Sequence, residues 1–129
     1  MILDSTFLHD LIRDEPAATD ALDELVRDRT PIAVSSLTVF EVGIGLRGAS
    51  HQYRAHFRTV VDDIEVVPLG DAETRTALTI QRELYNRGEP IGAIDALIAG
   101  TAAERDDASV LTRNVDEFGR VDRIETVPY

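Results

Sequence analysis

The sequence predicts an α/β domain in which helices flank a mainly parallel sheet of four to five strands. Short apolar runs alternate with longer helical segments along all 129 residues, which is the pattern of such a fold. No repeat, low-complexity run or Gly/Ser-rich linker divides the chain. The length suits one domain, so we expect a single unit spanning residues 1–129.

Short runs rich in Ile, Val and Leu, bounded by turn-forming residues, predict the strands. The first run ends at Asp4, and the run before Pro68 is closed by that proline. The predicted strands, the last of them at an edge of the sheet, are Met1–Leu3, Pro31–Val34, Ile64–Val67, Ala108–Leu111 and Glu125–Val127.

Apolar residues spaced three and four apart predict the helices that lie between these strands. Pro16 suits a first helical position, the pair Ser35-Ser36 and Asp71 are predicted N-caps, and Gly88 is a C-terminal stop. The predicted helices are Thr6–Arg13, Pro16–Arg27, Leu37–Leu46, Ser50–Val61, Asp71–Arg87 and Gly92–Arg105.

The charge composition is strongly acidic, with 24 Asp and Glu against 13 basic residues and a net charge of −11. Every basic residue is an arginine. Proteins that bind nucleic acid are usually basic, so one interpretation is an acidic protein with no polyanionic partner. The other is a halophilic protein, because the Debye length is only about 3 Å at ~1 M salt and repulsion from phosphates is then screened.

The absence of cysteine excludes disulfides, thiolate metal ligands and cysteine catalysis. The chain opens with Met1-Ile2-Leu3-Asp4, without a basic leader or a long apolar stretch. We therefore expect a cytoplasmic protein with no membrane-spanning segment.

Glu41 is the acidic residue whose position is hardest to explain as a solvated surface. Leu37, Phe40 and Ile44 form an apolar stripe at i, i+3 and i+7, and Glu41 takes the i+4 position on that face. A carboxylate on a buried face is costly unless a partner satisfies it. The alternative is a capping box formed by Thr38 and Glu41, with a later helix start.

Asp4 and Asp95 stand at positions where α/β proteins place functional groups. Asp4 ends the first strand, and Asp95 lies in the first turn of its helix beside an apolar stripe. Each has a structural alternative, an N-cap for Asp4 and a favourable helix-dipole position for Asp95. Together with Glu41 they form an oxygen-only ligand set, which suits Mg²⁺ or Mn²⁺ and hydrolysis of phosphodiesters.

Four segments carrying these residues resemble, in order, the motifs of PIN-domain proteins. The segments are MILDSTFLHDLI, SSLTVFEVGIGLRG, IGAIDALIAGTA and VLTRNVDEF, starting at residues 1, 35, 91 and 110. The subgroup that they resemble most is the VapC-type ribonuclease toxins of bacterial and archaeal toxin–antitoxin pairs.

The resemblance implies a PIN-like three-layer sandwich with Mg²⁺ or Mn²⁺ bound by Asp4 and Asp95, and with Glu41 completing the acidic cluster. It implies metal-dependent endonucleolytic cleavage of structured RNA, of the tRNA or ribosomal RNA class. It also implies a homodimer and inhibition by a small cognate antitoxin. The alternative is a catalytically silent PIN-like module that binds RNA or protein.

The fourth acidic position of the family is ambiguous in this sequence. Asn114 stands where many PIN domains have an aspartate, and Asp116 follows two residues later. Asp116 is therefore a candidate catalytic residue, or else the cap of a short helix. Thr112 is a candidate to hydrogen-bond a metal-bound water, and Arg113 is a candidate to contact a phosphate or is an ordinary surface residue.

Overall fold

The computed structural model describes all 129 residues and contains one five-stranded sheet in the order β3-β2-β1-β4-β5. Every pair of neighbouring strands is parallel, so the predicted fold class is confirmed and the sheet is parallel throughout. The strands are β1 Ile2–Leu3, β2 Ala33–Ser35, β3 Glu65–Val67, β4 Ser109–Leu111 and β5 Glu125–Val127.

Seven α-helices and one 3₁₀ helix connect these strands. None of the helices combines the length and the apolar character needed to cross a membrane. The helices are α1 Ser5–Leu11, α2 Pro16–Arg27, α3 Ser36–Gly45, the 3₁₀ helix Gly48–Tyr53, α4 Arg54–Asp63, α5 Asp71–Asn86, α6 Ala93–Ala103 and α7 Val115–Phe118.

Apolar side chains pack on both faces of the sheet, which gives three layers. Successive residues of a strand point to opposite faces, so Ile2 and Leu3 enter different cores. Ile2 packs with residues of α5, α6 and α7, whereas Leu3 packs with residues of α1 and α2. The three-layer sandwich expected from the resemblance is therefore present.

Two local expectations are wrong in detail. The segment predicted as one helix over Ser50–Val61 begins as the 3₁₀ helix, which buries none of its side chains, and becomes α-helical only at Arg54. Asp71 is the first residue of α5 and not its cap. Gly70 takes the cap position because its N–H donates to the Glu73 carboxylate at 3.1 Å, which is the return bond of a capping box.

The strand order places a topological switch point between β1 and β4. From β1 the chain builds the sheet outward through β2 and β3, and it then returns to the other side of β1 with β4 and β5. In open α/β sheets, ligands bind outside the carboxyl ends of the strands at such a point. The residues that follow β1 and β4 are Asp4 and Thr112.

Candidate active site

Asp4 is a buried carboxylate at the switch point, with only 1% of its surface exposed. Its backbone N–H donates to the carbonyl of Leu111 at 3.1 Å, which joins the ends of β1 and β4. Its Oδ2 accepts hydrogen bonds from the hydroxyls of Thr112 at 2.7 Å and Thr6 at 3.1 Å. Its Oδ1 is buried without any hydrogen-bond partner, and such an atom is costly unless a cation or a further donor satisfies it.

Thr112 holds Asp4 in place. Its hydroxyl donates to Asp4 and accepts the backbone N–H of Asn114 at 2.9 Å, and the residue is fully buried. The single hydroxyl proton is therefore committed to the carboxylate. The hydrogen bond between Thr112 and a metal-bound water stays a prediction, with the Thr112 oxygen as its acceptor.

Asp95 lies in the first turn of α6, and its carboxyl group shares a hydrogen bond with Glu117. Burial, this hydrogen bond and the negative charges of Asp4, Glu117 and Glu41 raise the pKa of Asp95 to about 7. The same hydrogen bond lowers the pKa of Glu117. Asn114 donates its side-chain amide to Asp95 Oδ2 at 3.3 Å, so it supports a carboxylate rather than replacing one.

The fourth acid in this region is Glu117, and the structure does not bring Asp116 into the cluster. Asp116 has 87% of its side chain exposed and pairs with Arg120, one turn along the chain, at 3.0 Å. Glu117 faces Asp95 and accepts the backbone N–H of Gly92 at 3.4 Å. Asn114 stands at the N-cap position of this short helix without a capping hydrogen bond from its side chain, and Glu117 is the third helical residue.

Glu41 lies in the same region as Asp4 and Asp95, as the sequence predicts, but the apolar stripe that it was predicted to interrupt is not buried. Phe40 and Ile44 are 68% and 54% exposed, so the stripe predicted to be buried is mostly on the surface. The buried residues of α3 are Thr38 and Val42. The capping-box alternative is excluded because α3 begins at Ser36, before Thr38.

Glu41 is nevertheless part of the same electrostatic environment as Asp4. Its side chain is on the surface, yet partial burial and the negative charge of Asp4 raise its pKa. We call Asp4, Glu41, Asp95 and Glu117 the acidic cluster. Its members come from the end of β1 and from α3, α6 and α7.

The acidic cluster has the chemistry of a divalent cation site, although no group of three or more His, Asp or Glu side chains is close enough as it stands to hold an ion. The available donors are carboxylate oxygens, which Mg²⁺ and Mn²⁺ prefer. A cation at this point would satisfy the unpartnered Asp4 Oδ1. It would also favour the ionised form of Asp95, whose pKa is raised by burial and by neighbouring carboxylates. The residues present therefore fit such an ion.

The PIN domain family matches residues 1–124 of the chain. The chain belongs to this family. The protein is 34% identical over 118 residues to ribonuclease VapC19 of Mycobacterium tuberculosis, covering 91% of this chain and 90% of that protein. It is 28% identical over 127 residues to the tRNA(fMet)-specific endonuclease VapC of Shigella flexneri, covering 97% and 94%.

The fold of this PIN domain is also that of VapBC2 from Rickettsia felis, solved bound to a DNA fragment from the promoter. The two structures superimpose with a TM-score of 0.87 at 23% identity, covering 99% of this chain and 97% of the other. The resemblance to the VapC-type subgroup, stated from four short motifs, is confirmed.

Arg113 follows Thr112 and makes an ion pair that the sequence did not predict. Its Nε lies 3.0 Å from Oδ2 of Asp10, a buried carboxylate on α1. A signal for Asp10 exists in the sequence, since it lies three residues after Phe7 and one before Leu11, on the apolar side of α1. The same reasoning that singled out Glu41 applies to Asp10.

Proposed function

We propose that this PIN-domain protein is a metal-dependent endoribonuclease of the VapC type that acts in the cytoplasm. The observation that carries the proposal is the unpartnered Oδ1 of buried Asp4 at the switch point of the sheet, with Asp95 and Glu41 near enough for the charge of Asp4 to raise their pKa values. Buried charges are usually paired with an opposite charge or bind a metal, and no basic side chain is a hydrogen-bond partner of Asp4.

Asp4 and Asp95 are the residues that would hold Mg²⁺, or Mn²⁺ in its place, and Glu41 and Glu117 complete the negative field. The ion would supply an activated water molecule and neutralise charge that develops on a phosphodiester. Thr112 and Thr6 fix the orientation of Asp4 through their hydroxyls. Because Asp95 keeps a proton up to about pH 7, protonation competes with cation binding at this carboxyl.

RNA is the substrate that we propose, of the structured class to which tRNA and ribosomal RNA belong. Support comes from the relatives, of which one is named a ribonuclease and the other a tRNA(fMet)-specific endonuclease. The net charge of −11 opposes binding of a polyanion at low ionic strength. We therefore propose a halophilic protein that acts where salt screens this repulsion.

The partners that we propose are a small cognate antitoxin and a second copy of the chain. VapC-type proteins, which this chain resembles, are the toxins of toxin–antitoxin pairs. Large apolar side chains on the surfaces of α3, α5 and α6 support protein contacts, since such residues gain from burial. They are Phe40, Ile44, Leu78, Tyr85 and Ile94.

The test is cleavage of total RNA in molar KCl, first with Mg²⁺ and then with EDTA. We expect Mg²⁺-dependent cleavage by the parent and loss of cleavage in Asp4→Asn and Asp95→Asn. Asp62→Asn, a change of an exposed acid on α4, is the matched control and should cleave as the parent does. Equal cleavage by Asp4→Asn and the parent would refute the assignment.

A binding measurement separates the nuclease from a catalytically silent module. Mg²⁺ should raise the melting temperature by mass action, beyond the effect of KCl at matched ionic strength, and Asp4→Asn should abolish this increase. RNA binding without cleavage at saturating Mg²⁺ would favour the silent module. An asparagine at position 114 in place of an aspartate would favour the silent module, but its hydrogen bond to Asp95 together with the nearby Glu117 weighs against that module.

A further inference from the structure

A second polar site adjoins the acidic cluster and shares Glu41 with it. It is a cleft of about 340 Å³ between α1 and α3, which we call the α1–α3 cleft. Besides Glu41, the polar side chains of its lining include Thr6, His9, Arg13 and Arg113. On a protein with 24 acids and 13 bases, the two arginines of this cleft are groups that can bind an anion beside the acidic cluster.

Arg113 is held in this cleft by a buried anchor. Oδ2 of Asp10 lies 3.0 Å from Arg113 Nε and accepts the hydroxyl of Tyr129 at 2.7 Å. The Tyr129 ring packs edge-on against Phe7, with 4.9 Å between the ring centroids. The carboxylate is therefore fixed from two sides, and the direction of the Arg113 side chain is fixed with it.

The contact of Arg113 with Asp10 is made through the inner nitrogen, Nε, at 3.0 Å. The terminal nitrogens Nη1 and Nη2 donate no hydrogen bond within the protein, and the side chain is 56% exposed. A guanidinium with its outer edge free offers parallel N–H donors, whose spacing matches two oxygens of a phosphate. Prior fixation reduces the entropy that is lost when such a contact forms.

Arg13, on the other side of the cleft, is also held. Its guanidinium lies 4.6 Å from the centroid of the Tyr53 ring and donates to the carbonyl of His9 at 3.3 Å. Arg13 makes no ion pair with an acid, whereas Arg113 is paired with Asp10, so Arg13 supplies the uncompensated positive charge of the cleft.

We propose that the α1–α3 cleft binds a phosphodiester of the RNA backbone next to the one that is hydrolysed, with Arg113 as the main contact. Asp10 and Tyr129 are positioning residues that act through Arg113. This inference rests on the proposed ribonuclease function. It adds a substrate subsite next to Glu41, where Arg13 and Arg113 line the cleft together with that carboxylate.

The test is steady-state cleavage of a fluorophore–quencher RNA hairpin that carries a site mapped on total RNA. Arg113→Ala should raise KM by about tenfold or more, since charge-assisted hydrogen bonds are lost, and should change kcat little. Arg113→Lys should recover only part of the affinity, because an ammonium cannot make the bidentate contact. Arg27→Ala, an exposed arginine on α2, is the control and should leave KM unchanged.

Tyr129→Phe tests the positioning role with a minimal change, because it keeps the ring that packs on Phe7. We expect a smaller rise in KM than in Arg113→Ala, and no further rise when the two substitutions are combined. The KCl dependence of KM should become less steep in Arg113→Ala, as expected when one phosphate contact is removed. Additive effects in the double variant would exclude the positioning role.

The possible outcomes separate this inference from the proposed function. If the parent cleaves RNA and Arg113→Ala has the parent's KM, the subsite is wrong and the ribonuclease assignment stands. If Arg27→Ala raises KM as much as Arg113→Ala, the effect is general electrostatics and the subsite is again wrong. If the parent does not cleave RNA under any salt or metal condition, both the function and the subsite that rests on it are refuted.

Discussion

Removal of the Thr112 hydroxyl should destabilise the protein more than removal of the equally buried hydroxyl of Thr101. Thr112→Val keeps the shape of the side chain and deletes the donor that reaches Asp4 at 2.7 Å. It also deletes the acceptor of the Asn114 N–H at 2.9 Å. The Asp4 carboxylate would then keep one donor, the Thr6 hydroxyl at 3.1 Å.

The magnitude follows from these two bonds. A hydrogen bond to a charged group contributes about 1.5–3 kcal/mol, and a neutral one contributes about 1 kcal/mol. Of the two atoms left behind, Asp4 Oδ2 belongs to a buried residue and the Asn114 N–H belongs to a half-buried one. We therefore expect a loss of about 2–4 kcal/mol in the free energy of unfolding, or a melting temperature lower by about 10 °C.

The assay is urea unfolding followed by circular dichroism, with EDTA and fixed molar KCl. The control is Thr101→Val on α6, which is equally buried but whose hydroxyl donates at 2.9 Å to Leu97 O, a carbonyl of its own helix. Thr101→Val should lower the free energy of unfolding by less than about 1 kcal/mol, because no buried charge loses a donor. A Thr112→Val loss no larger than that of Thr101→Val would refute the view that Thr112 anchors Asp4.

Three further predictions test the rest of the site and its support. Glu117→Gln should lower the cleavage rate at saturating RNA by tenfold or more, which corresponds to about 1.4 kcal/mol in the activation free energy, because it removes a charge beside Asp95. Asp116→Asn should leave the rate unchanged, because Asp116 is exposed. A slower Asp116→Asn and an unchanged Glu117→Gln would restore Asp116 as the fourth acid. Without divalent cations, the melting temperature should fall as the pH rises from about 5 to 8, because folded Asp95 keeps its proton up to about 7 while its carboxyl in the unfolded chain ionises near 3.8. The stabilisation is thus present at low pH and is lost through this window, and Asp95→Asn should flatten the profile. Gly100→Ala should lower the free energy of unfolding by about 1–3 kcal/mol, because a Cβ at this position would lie 2.6 Å from a backbone oxygen of α5. Gly45→Ala, where nothing lies within 4 Å, should be neutral or stabilising in the same unfolding assay.

The sheet and the position of Asp4 could be predicted because both depend on local pattern. β1 has only two residues, Ile2–Leu3, yet its end is marked by a carboxylate in a βα turn. Pro16 marked the start of α2 at the residue where the structure has it. Such signals lie within a few residues of the feature that they predict.

The environment of Glu41 could not be predicted from periodicity. Apart from Glu41, α3 contains apolar and small polar residues on every side, so a stripe can be drawn along more than one face. The structure buries Thr38 and leaves Phe40 exposed, the reverse of their order of hydrophobicity. Tertiary packing therefore decides the buried face of this helix.

Glu117 and the anchor of Arg113 were missed for different reasons. α7 has four residues, which is too short for an apolar period to appear, and only the Asn114 cap marks its start. The bond between Tyr129 and Asp10 joins residues 119 positions apart, and no local pattern predicts such a contact. Long-range pairing of polar groups is therefore the part of the site that required the structure.

The contact between Asp4 and Thr112 joins residues 108 positions apart, with the chain that forms α6 in between. During synthesis Asp4 leaves the ribosome well before Asp95, Thr112 and Glu117. Pairing of β4 with β1 joins strands that are distant in the sequence, and such non-local pairing is slow in folding. The acidic cluster consequently cannot assemble until the chain has been synthesised through Glu117, and the interval before it forms is time in which a binding partner can reach the protein.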